Sequence, residues 1–237
     1  MSKIVAIHQP NFFPWLGYFD KIVHSDIFVF FDDVQFPKSG RGTWSNRVKF
    51  LIGGEAKWVT APINRDYHGN LTIREMQFKL DDPWREKVLK NIEINYRLHP
   101  YFNEAFEFFA PLLSNPEPNI AEYNIHSVKA IVQRLGFDVA KLRRSSDLNH
   151  EGSSNDLLCS VTRLVSGTIY MCGGGADGYQ DEAVFIKNGV KLKHQNFTHP
   201  KYSQFKCTEF ISGLSITDAA MNLGWDNLGQ LLKSSKC

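Results

Sequence analysis

Between Lys3 and Phe31 the chain runs through a β-rich stretch, a helical pattern and a second β-rich stretch, and this unit constrains the fold more than any other feature. Lys3 to Ile7 is short and apolar, as a buried strand should be. Pro10 and Pro14 break the pattern. From Trp15 the apolar residues Leu16, Phe19, Ile22 and Val23 recur at helical spacing, which predicts a helix from about Pro14 to His24. Pro14 then falls in the first turn, where a missing N–H costs nothing. Asp26 to Phe31 is a second buried strand ending at Asp32-Asp33. Strand, helix and strand in so short a span form a βαβ unit, which favours a parallel pair joined by a right-handed crossover.

The rest of the chain extends this theme. Arg47 to Leu51 and Ala56 to Ala61 are strand patterns joined by Gly53-Gly54, a hairpin signal. Leu71 to Phe78 is a further strand candidate. Helices are expected over Pro83–Asn95, Tyr101–Leu113 and Ile120–Leu135, the last stopped by Gly136. Ser145 to Ser154 is polar and fits an active-site loop or an exposed linker. Asn155 to Ser166 reads as a helix and Thr168 to Met171 as a strand. That strand runs into Cys172-Gly173-Gly174-Gly175, followed by a short helix over Asp181–Asn188 and a strand over Val190–Leu192. The expected fold is α/β: a mostly parallel sheet with flanking helices, a β-hairpin insertion and a helical region in the middle of the chain. One domain over residues 1–237 accommodates it, with a helical subdomain at about 83–136.

Composition narrows the function classes. With 43% hydrophobic and 22% charged residues the chain is globular rather than disordered. A formal net charge of +2 supplies no field calling for nucleic acid. No apolar stretch is long enough to span a membrane. The apolar run before His8 is too short for a secretory leader, so it reads as a strand. Cys159, Cys172, Cys207 and Cys237 show no CxxC pair and no metal-ligand spacing, so reduced thiols in a cytoplasmic protein are expected. The eight histidines show no HExxH spacing, and no metal is indicated.

Two turns carry the candidate chemistry. In open α/β sheets ligands bind beyond the carboxyl ends of the strands, near helix N-termini. His8 and Gln9 stand at such an end, two prolines hold the turn that presents Gln9 and Asn11, and Gly17 permits close approach to the helix. The plainer reading is that His8 and Gln9 cap backbone groups and Trp15 is core. The Cys172–Gly175 turn follows a strand and precedes a helix, where backbone N–H groups can cradle a phosphate or carboxylate. It matches neither the dinucleotide fingerprint nor the P-loop. Asp32 and Asp33 point to opposite faces of a strand and so are not a general acid/base pair. Lys38, Arg41, Arg47 and Arg65 suit phosphate oxygens, or are simply solvated surface. There is no Ser-His-Asp signature. Cys172 beside a helix N-terminus is either a reactive thiol or a buried inert one, and His194 and His199 join His8 as acid/base candidates.

The run Ile7-His8-Gln9-Pro10-Asn11-Phe12-Phe13-Pro14-Trp15-Leu16-Gly17-Tyr18-Phe19-Asp20-Lys21-Ile22 closely resembles the opening signature of the WbqC-like proteins. Asp32 to Lys38, Trp44 to Arg47, Gly173 to Tyr179, Tyr202 to Gln204 and Leu214 to Ile216 continue the resemblance in order. One departure is Cys172, where a Ser is expected before the first Gly. The resemblance implies a bacterial protein of surface-polysaccharide (O-antigen) biosynthesis, with a glycine transferase role that decorates an amino sugar. On that reading the substrate is a nucleotide-linked sugar, an activated acyl or aminoacyl donor is consumed, and no other cofactor is called for. His8 and Asp32 are the catalytic candidates, His8 as base for the acceptor amine. Asp32, Gln9 and Asn11 orient the sugar, and Lys38 and Arg47 take phosphate oxygens. Trp15, Tyr18, Gln35, Gly173, Gly174, Tyr179, Tyr202 and Gln204 complete the expected substrate-binding set. Two alternatives stay open: a non-catalytic nucleotide-sugar-binding or assembly protein, and a nucleotidyl-type transferase. The turn Trp15-Leu16-Gly17-Tyr18 weakens the last, because aromatics stand where such enzymes place the two histidines of a His-x-Gly-His turn.

Overall fold

A computed structural model describes residues 2–37, 43–173 and 180–235. The first βαβ unit forms as expected. Strand β1 (Ile4–His8) leads to helix α1 (Leu16–Val23) and strand β2 (Ile27–Phe30), and β1 and β2 pair in parallel from Val5–Ile27 to His8–Phe30. Pro14 lies just before the helix rather than in its first turn, with Trp15 at the N-cap in extended conformation.

Three more strands complete the sheet: β5 (Leu142–Arg144), β6 (Ile169–Cys172) and β7 (Lys191–His194). The order is β5-β2-β1-β6-β7 and every pairing is parallel. The chain therefore leaves β1 toward one edge and later returns to fill the other side. Right-handed crossovers in opposite directions put their helices on opposite faces, which is the doubly wound plan.

Side-chain alternation along the strands feeds two cores. Ala6, Phe28, Phe30 and Met171 join a large cluster with α1 and the C-terminal helix α7 (Ile216–Ser234). Val5, Ile7, Val29, Tyr170 and Cys172 join a smaller cluster with α5 (Ser154–Leu164) and α6 (Glu182–Lys187). A sheet buried on both faces reads as apolar runs rather than an alternating pattern, as Ile27 to Phe30 shows.

The long excursion between β2 and β5 holds the antiparallel hairpin β3 (Arg47–Ile52) and β4 (Glu55–Thr60), then α2 (Trp84–Tyr96), α3 (Phe102–Leu113) and α4 (Ile120–Arg134). Gly53 and Gly54 take φ of 63° and 79° in the two-residue turn, the left-handed conformation that closes a hairpin without splaying its strands. Val48 and Phe50 of β3, Trp84 and Tyr96 of α2, Phe109 of α3 and Tyr123 of α4 all enter the large cluster.

Three sequence expectations are corrected. Leu71 to Phe78 is not a strand: Ile73–Glu75 is a 3-10 turn, and isolated bridges tie Thr72 to Gln35, Gln77 to Asn119 and Phe78 to Ile63. Thr72 N–H and Oγ donate to Glu75 Oε2 at 2.8 and 2.7 Å, so a local capping interaction wins over strand pairing. Strand β5 and helix α7 were not expected. The first half of α7 is buried all round, from Ile216 to Asn222, and the helix is broken at Gly224 (φ 73°). A helix without a polar face has no amphipathic period to read.

Asn124 ties the helical region to the β1–α1 turn. Its Nδ2 donates to the carbonyls of Pro10 (3.0 Å) and Ser45 (2.7 Å) from a fully buried position on α4. Asn124→Ala leaves both carbonyls buried and short of a donor. It should destabilise the protein by about 2–3 kcal/mol, read as a lower midpoint in chemical denaturation at unchanged slope.

Candidate functional site

The sheet order places β1 beside β6 at the point where the connections diverge, and in open α/β sheets the crevice outside the carboxyl ends of those strands is the ligand position. A cavity of about 440 Å³ lies there, within the range of small-molecule sites. His8 at the end of β1, Asn11 and Trp15 from the following turn, and Gly17, Tyr18 and Lys21 of α1 form one wall. Trp44, Gly173 after β6, and Gln195, Asn196 and Phe197 after β7 complete the lining. The β1–α1 turn and Gly173, the described residue that follows β6, thus line one cavity.

The β1–α1 turn is rigid because nearly all its carbonyls are spoken for. Tyr18 Oη donates to Gln9 O (3.1 Å), Asn124 to Pro10 O, Ser215 Oγ to Phe13 O (2.8 Å) and Ile216 N–H to Pro14 O (2.8 Å). Phe12 N–H donates to Trp44 O at 2.8 Å, fixing Trp44 beside the turn. Phe13 is held at φ 39°, a strained conformation for an aromatic residue, and full burial against Phe109 and Tyr123 maintains it. The Trp15 ring lies over Gly17, where a Cβ would sit 2.3 Å from ring carbons, so only glycine fits beneath it. Gln195 Nε2 donates to Gly17 O (2.8 Å) and to Asp20 Oδ2 (2.7 Å), clamping the end of β7 onto α1.

Asn11 is the exception to this accounting. It is 1% exposed, and neither its amide nitrogen nor its amide oxygen has a hydrogen-bond partner. Buried polar atoms in folded proteins are nearly always bonded. Asn11 lines the cavity, and its amide lacks a partner at both ends.

His8 keeps some surface toward the cavity but is otherwise surrounded by protein. Burial, reinforced by the Lys21 ammonium, lowers its pKa to about 3, against a weak opposing contribution from the Gln9 carbonyl. The ring is therefore neutral at physiological pH. Nδ1 lies 3.1 Å from Gln9 O, so it carries the proton and Nε2 is an acceptor. A ring this weakly basic positions a donor rather than storing a proton, which argues against His8 as the general base. Burial also raises the Tyr18 hydroxyl well above its usual range, leaving it a neutral donor.

Other expected site residues fall elsewhere. Asp32 is buried behind β2 and accepts from Ser146 N–H (3.1 Å), Ser146 Oγ (2.8 Å) and Ser145 Oγ (3.1 Å). The Ser145 hydroxyl also meets Asp33 Oδ1, so Ser146 supplies the two bonds that belong to Asp32 alone, and Asp32 does not line the cavity. Asp33 meets His150 at 2.6 Å, so the polar Ser145–Ser154 segment secures the β2 end. Gln9 contributes its carbonyl, and Gln35 is exposed in a bridge to Thr72. Arg47 lies over the Trp58 ring, 4.3 Å from its centroid, outside the cavity lining. Tyr202 and Gln204 donate to the buried Asp218 of α7 at 2.6 and 3.1 Å. Lys38, Gly174 and Tyr179 lie outside the described residues. Cys172 faces the second core, away from the cavity, with Sγ 3.3 Å from His194 Nδ1. Among the described residues no group of three or more His, Cys, Asp or Glu side chains could hold a metal, and no helix is long and apolar enough to cross a membrane.

Lys21, Trp44 and Gln195 were not among the expected site residues. Lys21, on α1, is only 4% exposed. Gln195 was legible in principle, since it follows a strand parallel to β6 and so reaches the same sheet edge.

Fold and cavity together define a doubly wound α/β protein with a ligand-sized crevice at its switch point. The chain belongs to the WbqC-like protein family, which matches over residues 9–230. It is also 29% identical over 225 residues, 94% of each chain, to the uncharacterized protein Rv1507c of Mycobacterium tuberculosis. No solved structure matches it.

Because the folded-state pKa of His8 lies below its unfolded value, the unfolded chain binds the extra proton between about pH 6.5 and 3. Stability conferred by the neutral ring is present above that window and is lost as pH falls through it. His8→Gln should flatten the decline in unfolding free energy between pH 6.5 and 4 relative to the wild type, by at most about 1.4 kcal/mol per pH unit. Parallel declines in the two proteins would show that burial does not hold the ring neutral.

Proposed function

We propose that this protein binds a nucleotide-linked amino sugar in the β1–β6 cavity and transfers an acyl or aminoacyl group, glycine first among candidates, to its amine during bacterial surface-polysaccharide assembly. The observation that carries the reading is the orphaned Asn11 amide in a ligand-sized cavity walled by Trp15, Tyr18, Trp44 and Phe197. Aromatic faces suit sugar rings and bases, and a two-ended amide suits a ligand that offers both a donor and an acceptor. Family membership supports the polysaccharide context.

In such a transfer the sugar nitrogen attacks the acyl carbonyl carbon. The new C–N bond forms as the bond to the donor's leaving group breaks, and the nitrogen gives up a proton that leaves with that group or with solvent. No serine, threonine, cysteine or carboxylate lines the cavity among the described residues, which favours direct transfer over a covalent acyl-enzyme. Neutral His8 Nε2 serves as a hydrogen-bond acceptor that orients the amine. The activated donor is a co-substrate, and the reading requires no further cofactor.

A second reading is binding without turnover, and the weak basicity of His8 is the observation that favours it. The test is to incubate the protein with UDP-, GDP- and dTDP-linked amino sugars, with and without an activated glycine donor, and to weigh the products by mass spectrometry. A glycyl increment on the sugar supports transfer, and binding without an increment supports the second reading. Pyrophosphate release from a nucleoside triphosphate would support nucleotidyl transfer instead. His8→Ala should lower turnover by at least about tenfold with its melting transition retained, and full activity in that variant would remove His8 from the site.

A further inference from the structure

A second cavity, of about 230 Å³, lies between the β3–β4 turn, the end of α2 and the loop that precedes α7. It shares no lining residue with the β1–β6 crevice. Hydrogen bonds brace its walls. Leu51 N–H donates to Tyr96 Oη (2.8 Å) and Gly53 N–H to Asn95 Oδ1 (2.9 Å), which holds the hairpin against α2. On the loop, Phe205 N–H donates to Asn222 Oδ1 (2.8 Å), while Gln204 donates to Ile211 O (2.9 Å) and accepts from Ile211 N–H (2.7 Å). Gln204, expected in the substrate set, thus braces the loop that carries Phe205 and Cys207.

Leu51, Ile94, Leu98 and Phe205 give the cavity an apolar surface, and Ile94 and Leu98 are large aliphatic side chains left exposed. His99 stands among them and is only 6% exposed. Its Nδ1 lies 3.1 Å from Tyr96 O, so Nδ1 carries the proton and Nε2 is an acceptor. Burial lowers the pKa of the ring, against an opposing contribution from the Tyr96 carbonyl, and the ring is neutral. The Tyr96 and Phe205 rings, with centroids 4.6 and 5.1 Å away, hold its plane. Nε2 is buried and has no hydrogen-bond partner. An acceptor buried without a donor is costly, and the cavity beside it offers the space from which a donor can come. Cys207 lines the same cavity, and burial, reinforced by Asp218, pushes its thiol up, so it too is neutral.

We propose that this cavity binds a small aromatic molecule bearing one O–H or N–H, a phenol or an indole, whose ring packs on Phe205, Ile94 and Leu98 while its polar hydrogen is donated to His99 Nε2. The volume falls below the roughly 300–1,000 Å³ of drug-sized sites, which suits one or two rings rather than a nucleotide-linked sugar. A neutral acceptor set in apolar surface selects a neutral donor. The Lys206 ammonium, 5.3 Å from the centre of the Phe205 ring, disfavours a cationic ligand. The site is independent of the transferase reading, and either can fail alone.

The probes are phenol and toluene, nearly the same shape with and without the donor, titrated into the full isotope-labelled chain and followed by NMR. His99→Phe keeps a ring in place and removes the acceptor. It should weaken phenol by about tenfold and leave toluene within about twofold. In the wild type, phenol should slow alkylation of Cys207 by iodoacetamide, read by mass spectrometry of the Cys207 peptide. Phenol, and not toluene, should also move the ring-nitrogen resonance of His99 Nε2. That last measurement needs no variant and decides the question if His99→Phe fails to fold. The proposal is overturned if phenol does not bind the wild type at millimolar concentration, if it binds His99→Phe equally well, if it leaves Cys207 alkylation unchanged, or if the Nε2 resonance stays in place.

Discussion

The parallel pairing of β1 with β2 on one side and β6 on the other is the constraint on which the remaining architecture depends. A strand flanked this way has connections leaving in opposite directions, so the loops at its carboxyl end part and leave a crevice. His8 stands at that end, Gly173 follows the neighbouring strand, and Gln195 follows the next one. The cavity is thus a product of topology before it is a product of side chains. Burial of the sheet on both faces, by α1 and α7 on one side and α5 and α6 on the other, makes the edge rigid.

Buried polar groups then fix the turn with a precision that apolar packing alone does not supply. Asn124 holds Pro10 and Ser45, Ser215 holds Phe13, and Gln195 holds Gly17 and Asp20. Each such bond contributes only about 1 kcal/mol net, yet breaking one leaves a buried group whose desolvation is uncompensated. Asn124 Oδ1 and Ser45 Oγ are also buried without a partner, and Asn11 is set apart by lacking one at both ends of its amide while lining the cavity. The same burial that fixes the turn also keeps His8 neutral, so one environment sets both the shape of the cavity and its charge.

Much of this was legible in the sequence. Leu16, Phe19, Ile22 and Val23 announce α1, Gly53-Gly54 announces the hairpin, and the two proline- and glycine-marked turns announce the sheet edge. Other features were hidden for identifiable reasons. Helix α7 is buried around its first half and presents no periodic face, and β5 is only three residues long. The Thr72–Glu75 capping pair could have warned against a strand at Leu71–Phe78. Asp32 at a strand end resembles a catalytic carboxylate, and nothing local shows that Ser146 arrives to bond it from a distant part of the chain. Lys21 is the converse case. A lysine on a helix is ordinarily solvated surface, and only the tertiary packing of α1 against β6 and β7 turns it inward.

The proposed function requires the β1–β6 crevice to be the ligand site and Asn11 to be one of its contacts. The most direct measurement is a crystal structure of the protein soaked with a nucleotide-linked amino sugar. Electron density is expected in the cavity lined by Trp15 and Trp44, with ligand atoms within hydrogen-bond distance of both ends of the Asn11 amide. Density seated elsewhere, with the Asn11 amide still unbonded, would contradict it.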